Sequence, residues 1–131
     1  MQHPKLFLSP WRIVVPALLA ALAACSSLDM SSGHLRNGVP RFTAFTTEPP
    51  AAIAACIGQR WVAAGHPALS QQKTDTGFAL QTTQKFDIQQ KMFMAYIAID
   101  TSREGSSVHF YSNHADDMVE RSLVNTIQAC Y

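Results

Sequence analysis

The chain has 131 residues and a mass of 14.4 kDa, with 47% hydrophobic and 15% charged residues. That length allows one small domain. Ten basic against nine acidic side chains give a net charge of +1, which lacks the electrostatic footprint of a nucleic-acid binder. An average apolar content with so few charges argues against a disordered chain.

The first 24 residues read as an address. Lys5 and Arg12 are the only formal side-chain charges before Asp29, and every residue from Ile13 to Ala24 is apolar. Those twelve residues are too few to span a bilayer, which needs about 20. A basic start, a short apolar core and a run of small residues make the layout of a secretory signal. The run ends in Leu22-Ala23-Ala24-Cys25: an aliphatic residue, two small residues and a cysteine. These four positions resemble the lipobox of bacterial lipoproteins, a resemblance that covers only residues 1–25. It implies a diacylglycerol on the Cys25 thiol, cleavage before Cys25 and acylation of the new amino terminus. One acyl chain gives only marginal membrane binding, so lasting anchorage needs two or three. Ser26 follows the cysteine. In enterobacterial lipoproteins a residue other than aspartate there favours export, so the resemblance implies an outer-membrane protein facing the periplasm.

Removal of residues 1–24 leaves 107 residues and takes away Lys5 and Arg12, so eight basic side chains face nine acidic ones, a net −1. No basic patch remains for nucleic acid or anionic lipid, and membrane attachment falls to the lipid on Cys25. Residues 25–48 are expected to form a lipidated flexible tether, rich in Ser, Thr, Gly, Asn and Pro and without a persistent period. Within it, Arg41-Phe42-Thr43-Ala44-Phe45 reads as a short extended piece against the domain.

Residues 49–131 are expected to form a small α+β periplasmic domain. A helix is predicted from about Glu48 to Ala64, with Thr47 as N-cap and Pro49 and Pro50 tolerated in the first turn. Ile53, Cys56, Ile57 and Trp61 recur at helical spacing on one face, and Gly65 with His66-Pro67 stops the helix. Trp61 is expected in the core. Three strands follow. Residues 77–84 alternate Phe78, Leu80 and Thr82 against Ala79, Gln81 and Thr83. Residues 92–100 are apolar on both faces, the mark of a central strand. Residues 107–112 alternate Val108 and Phe110 against His109 and Tyr111. Gly105, able to adopt positive φ, closes the second and third into a hairpin. A last helix is predicted from about Ala115 to Ala129, capped by Asn113, with Val119, Leu123, Ile127 and Cys130 on one face. The expected fold is a two-layer helix–three-stranded antiparallel sheet–helix (αβββα) domain.

With Cys25 assigned to lipid, Cys56 and Cys130 remain as an even pair in an oxidising compartment, and both lie on apolar helix faces. A disulfide between them is expected; two buried free thiols are the alternative. His109, His114 and Asp116 lie close in sequence but fit no compact metal motif, and Asp116 suits a helix start. Ser112 and Ser122 carry no nucleophile signature, and the glycines form no phosphate loop. No catalytic residue, metal or cofactor is assigned. If Phe93, Ile97 and Ile99 face the helices, then Met92, Met94, Tyr96, His109 and Tyr111 share the other, exposed sheet face; the alternatives are that the tether or a dimer partner covers this face, or that the parity is reversed and these residues are core. Met and Tyr together are typical of protein interfaces. The sequence therefore supports a non-enzymatic envelope lipoprotein whose domain binds another envelope protein. An inhibitor or immunity-type lipoprotein that blocks a toxic or lytic enzyme, or a small hydrolase or metal-dependent enzyme, are the other readings.

Overall fold

The structure, a computed structural model, describes residues 32–86 and 91–131. A 3-10 helix η1 (Ser32–Asn37) precedes strand β1 (Phe42–Thr46) and helix α1 (Pro50–Ala63). Strands β2 (Ser70–Lys73), β3 (Gly77–Phe86), β4 (Lys91–Ser102) and β5 (Gly105–Ser112) follow, and helix α2 (Asp117–Gln128) comes last. The strands form one antiparallel sheet in the order β1-β5-β4-β3-β2.

The expected αβββα arrangement with a three-stranded sheet is thus corrected to a five-stranded sheet carrying two helices. The three predicted strands are its centre, and an edge strand is added on each side. The two added strands differ in how far the sequence pattern announces them. β2 is Ser-Gln-Gln-Lys, exposed at all four positions, so it buries nothing and shows no apolar alternation. Backbone pairing alone recruits it, through a tight return in which Thr74 N–H donates to the Gly77 carbonyl (2.9 Å) and Gly77 N–H to Thr74 Oγ1 (3.0 Å). β1 lies within residues 25–48, the stretch read as a tether. Its register, Phe42 opposite Phe110 and Ala44 opposite Val108, puts Phe42 and Ala44 on the helix side. This is the extended piece expected at Arg41–Phe45, and the sheet takes it up as an edge strand beside β5.

One face of the sheet carries the core. Leu80, Phe93, Ile97, Ile99, Val108 and Phe110 meet Ile53, Ile57 and Trp61 of α1 and Val119, Leu123 and Ile127 of α2. Trp61 is fully buried and stacks on His66, with ring centroids 3.7 Å apart. The two helices are joined by the Cys56–Cys130 disulfide, with Cα atoms 5.8 Å apart.

The helix ends differ from expectation. At α1, Pro49 is the N-cap and makes no side-chain cap bond. Thr47 lies too far upstream to reach the first turn. Gly65 at φ +88° supplies the stop. At α2 the cap is Asp116, whose carboxylate accepts from Met118 N–H (3.0 Å) and Val119 N–H (2.9 Å), which satisfies two orphan donors and suits the positive helix end.

Asn113, expected as that cap, does other work. Its Nδ2 donates to the Met92 carbonyl (2.6 Å), and its Oδ1 accepts from Met94 N–H (3.0 Å) and Ala115 N–H (3.3 Å). The side chain therefore continues the sheet ladder past the end of β5 and fixes the turn into α2. Asn113→Ala leaves these part-buried groups unpaired and is expected to cost about 2 kcal/mol, read as a lower urea midpoint at unchanged slope.

Candidate functional site

The face opposite the helices is built by strand parity. Paired residues in an antiparallel sheet share a face, and the register sets Gln81, Tyr96 and Tyr111 in one row and Ala79, Ala98, His109 and Thr43 in the next. Met94 and Met92 lie on the same face at positions two and four residues back along β4. All five residues of the expected interaction face, Met92, Met94, Tyr96, His109 and Tyr111, are therefore on one side, and Phe93, Ile97 and Ile99 are on the other.

Their exposure departs from the expected open surface. Tyr96 is only 6% exposed, and Met92, Met94, His109 and Tyr111 are half-buried. The cover is η1, which crosses this face over β3, β4 and β5. Leu35 packs against a small apolar cluster of Ala79, Tyr96, Ala98 and Tyr111. The two alanines sit side by side on β3 and β4, next to Tyr96 and Tyr111, whose rings meet edge-on at 6.2 Å. His109 Nδ1 and Thr43 Oγ1 lie 3.2 Å apart beside Ala98. Sequence reading missed Leu35. It is one aliphatic residue in a polar stretch, and only its neighbours in space reveal its role.

A second cluster surrounds Glu120, which was not singled out in sequence. Its carboxylate, 13% exposed, accepts from the Ser112 hydroxyl and lies 3.4 Å from Arg41 Nε and 3.0 Å from His114 Nδ1. His114 holds a left-handed backbone, φ +56°. The cluster ties the residue before β1, the end of β5 and the first turns of α2 together. The Ser112 hydroxyl is directed at a carboxylate and not at an imidazole, so the cluster clasps three segments of the chain together. Ser122 Oγ stands 3.4 Å from His66 Nε2, but that imidazole is stacked flat on Trp61. Asp100 accepts from the Thr76 hydroxyl next to the β2–β3 turn.

Three open depressions of about 430 Å³ each lie elsewhere: beside Phe45 and the β4–β5 turn, beside the disulfide, and in the groove between α1 and α2. Neither His109 nor His114 lines any of them. Among the described residues no group of three His, Cys, Asp or Glu side chains is placed to hold a metal ion, and no helix is long and apolar enough to cross a membrane. Tyr131 stacks on Phe42 at 6.3 Å, and burial pushes its phenol up from its ordinary value.

No family model, curated protein or solved structure matches this chain. The remaining predicted position, Cys25, lies outside the described residues. Function must therefore be argued from the chain's own chemistry.

Proposed function

We propose that the protein is a membrane-anchored cell-envelope lipoprotein whose small domain binds another envelope protein and carries no catalytic centre of its own. The observation that carries this reading is the Cys56–Cys130 disulfide in a chain that begins with a basic, apolar, Cys25-terminated leader. Structural disulfides persist in oxidising compartments. The two features involve different cysteines and point to the same place. Acyl chains on Cys25 supply the membrane attachment, and Ser26 favours the outer membrane with the domain in the periplasm. The binding role rests on the face that gathers Met92, Met94, Tyr96, His109 and Tyr111.

The anchor has a direct test. Cells expressing the wild type with labelled palmitate are expected to yield a labelled, membrane-bound protein. Cys25→Ala should lose the label and leave the acylated membrane fraction. Label persisting in Cys25→Ala would put the lipid elsewhere and remove the lipobox reading. Crosslinking in intact envelopes then tests the binding role, with one specific partner expected. A domain that captures none would argue against it.

A further inference from the structure

We infer that η1 is a releasable strap, and that the small apolar cluster of Ala79, Tyr96 and Ala98 is its docking site. The occupant is Leu35 of the same chain, packed against that cluster. Docked, the strap buries Tyr96; released, it uncovers the face that the proposed function uses for binding.

Three features make the docking reversible. Among the described residues of the strap, the apolar part of the contact rests on one half-buried leucine, and burial of one such side chain offsets the ordering of only a residue or two. The strap is a six-residue 3-10 helix, and runs beyond three or four residues are uncommon because their hydrogen-bond geometry is poor. His34, Arg36 and Asn37 within it, and Gly38 and Val39 just after it, all face solvent. A segment with little buried apolar contact opens at a fraction of the global unfolding free energy. The sheet beneath does not depend on it, because the main core lies on the opposite face.

Release also changes reach, a consequence that rests on the proposed lipid at Cys25. Six residues, 26–31, separate Cys25 from η1, and fifteen, 26–40, separate it from Arg41, whose N–H bonds the Phe110 carbonyl at 2.7 Å. Fully extended at about 3.5 Å per residue, these spans are at most about 20 Å and about 50 Å. The docked strap therefore keeps the binding face covered and close to the membrane. The released strap uncovers it and lengthens the leash at the same moment. Both states are available to the same chain, and a partner with affinity only for the open one shifts the balance toward it.

Tyrosine acetylation with N-acetylimidazole, mapped by peptide mass, tests the strap on the full chain purified in detergent. Tyr96 reports the covered face, and Tyr131, 46% exposed, is the internal control. In the wild type Tyr96 is expected to react slowly, at a rate that changes little with urea below the unfolding midpoint, because strap release exposes little surface. Leu35→Asp is expected to raise the Tyr96 rate about tenfold or more, with Tyr131 and the thermal midpoint nearly unchanged, and Leu35→Ile to keep the protection. The strap is overturned if Tyr96 stays protected in Leu35→Asp, or if wild-type Tyr96 reacts as fast as Tyr131. It is equally overturned if the wild-type Tyr96 rate follows the global unfolding slope, or if Leu35→Asp abolishes cooperative melting, since η1 would then belong to the core. Acetylation reads the strap whether or not Cys25 is acylated, and palmitate labelling reads Cys25 whether or not the strap opens, so the two ideas fail separately.

Discussion

Loss of the Cys56–Cys130 bond is expected to lower the unfolding free energy by about 4 kcal/mol, the chain-entropy value for a loop of this length. The bond spans 74 residues of sequence and therefore encloses nearly the whole of the α1-to-α2 fold. Few other single features restrict the unfolded chain so strongly. A domain of this size has only a few kcal/mol in hand, so the loss amounts to most of its stability. The corresponding drop in melting temperature is on the order of 20 °C. Circular-dichroism melts of the oxidised protein, the reduced protein and the Cys56→Ala/Cys130→Ala double variant would measure it. Reduced and double-variant forms should melt together. A drop of under about 1 kcal/mol would mean that packing of α1 on α2 alone holds the helices, and that the entropic account is wrong here.

Gly105→Ala is the second severe change. Gly105 opens β5 at φ +152°, and a Cβ there would lie 2.6 Å from both the Cα and the carbonyl carbon of Thr47, and nearer still to the Thr46 carbonyl oxygen. All three are backbone atoms, so no side chain can swing aside. The end of β1 must move off the β4–β5 hairpin. That displacement would strain the neighbouring bond from the buried Ser106 hydroxyl to the Glu48 carbonyl, 2.6 Å, which pins the β1–α1 link. A cost of about 3 kcal/mol is expected, measured by urea denaturation. Gly58→Ala is the control in the same experiment. Gly58 lies inside α1 with no atom within 4 Å of an added Cβ, so alanine there should stabilise by up to about 1 kcal/mol. If Gly105→Ala cost as little as a surface substitution, β1 would not be seated where the structure has it.

These two variants probe parts of the molecule that differ in how readable they were. The cysteine pair could be reasoned from composition, because two residual thiols on the apolar faces of two amphipathic helices leave few alternatives. The close approach at Gly105 could not, because its obstructing neighbours come from β1, some 60 residues earlier. Glu120 shows the same limit. In sequence it is one acid in a helix, while in space it collects Arg41, Ser112 and His114 from segments brought together by the sheet. Asn113 was expected to cap α2 on the strength of its residue type. Position decided otherwise, since Asp116 stands next to the free N–H groups and Asn113 stands next to β4.

The sequence by itself determined the helix faces, the three central strands and the alternation that sorts the residues of each central strand onto two sides. It did so because burial on one side of a helix or strand leaves a period that survives in one dimension. Only the tertiary structure decided which sheet face is the core, the existence of β2, the pairing of the extended piece at Phe42–Thr46 with β5, the cover of Leu35 over Tyr96 and the clasp at Glu120. An edge strand such as β2 needs only a neighbour's free backbone groups, and a strap needs only one side chain packed against two alanines and a tyrosine. Neither leaves a repeating pattern along the chain, so neither can be read until the chain is folded.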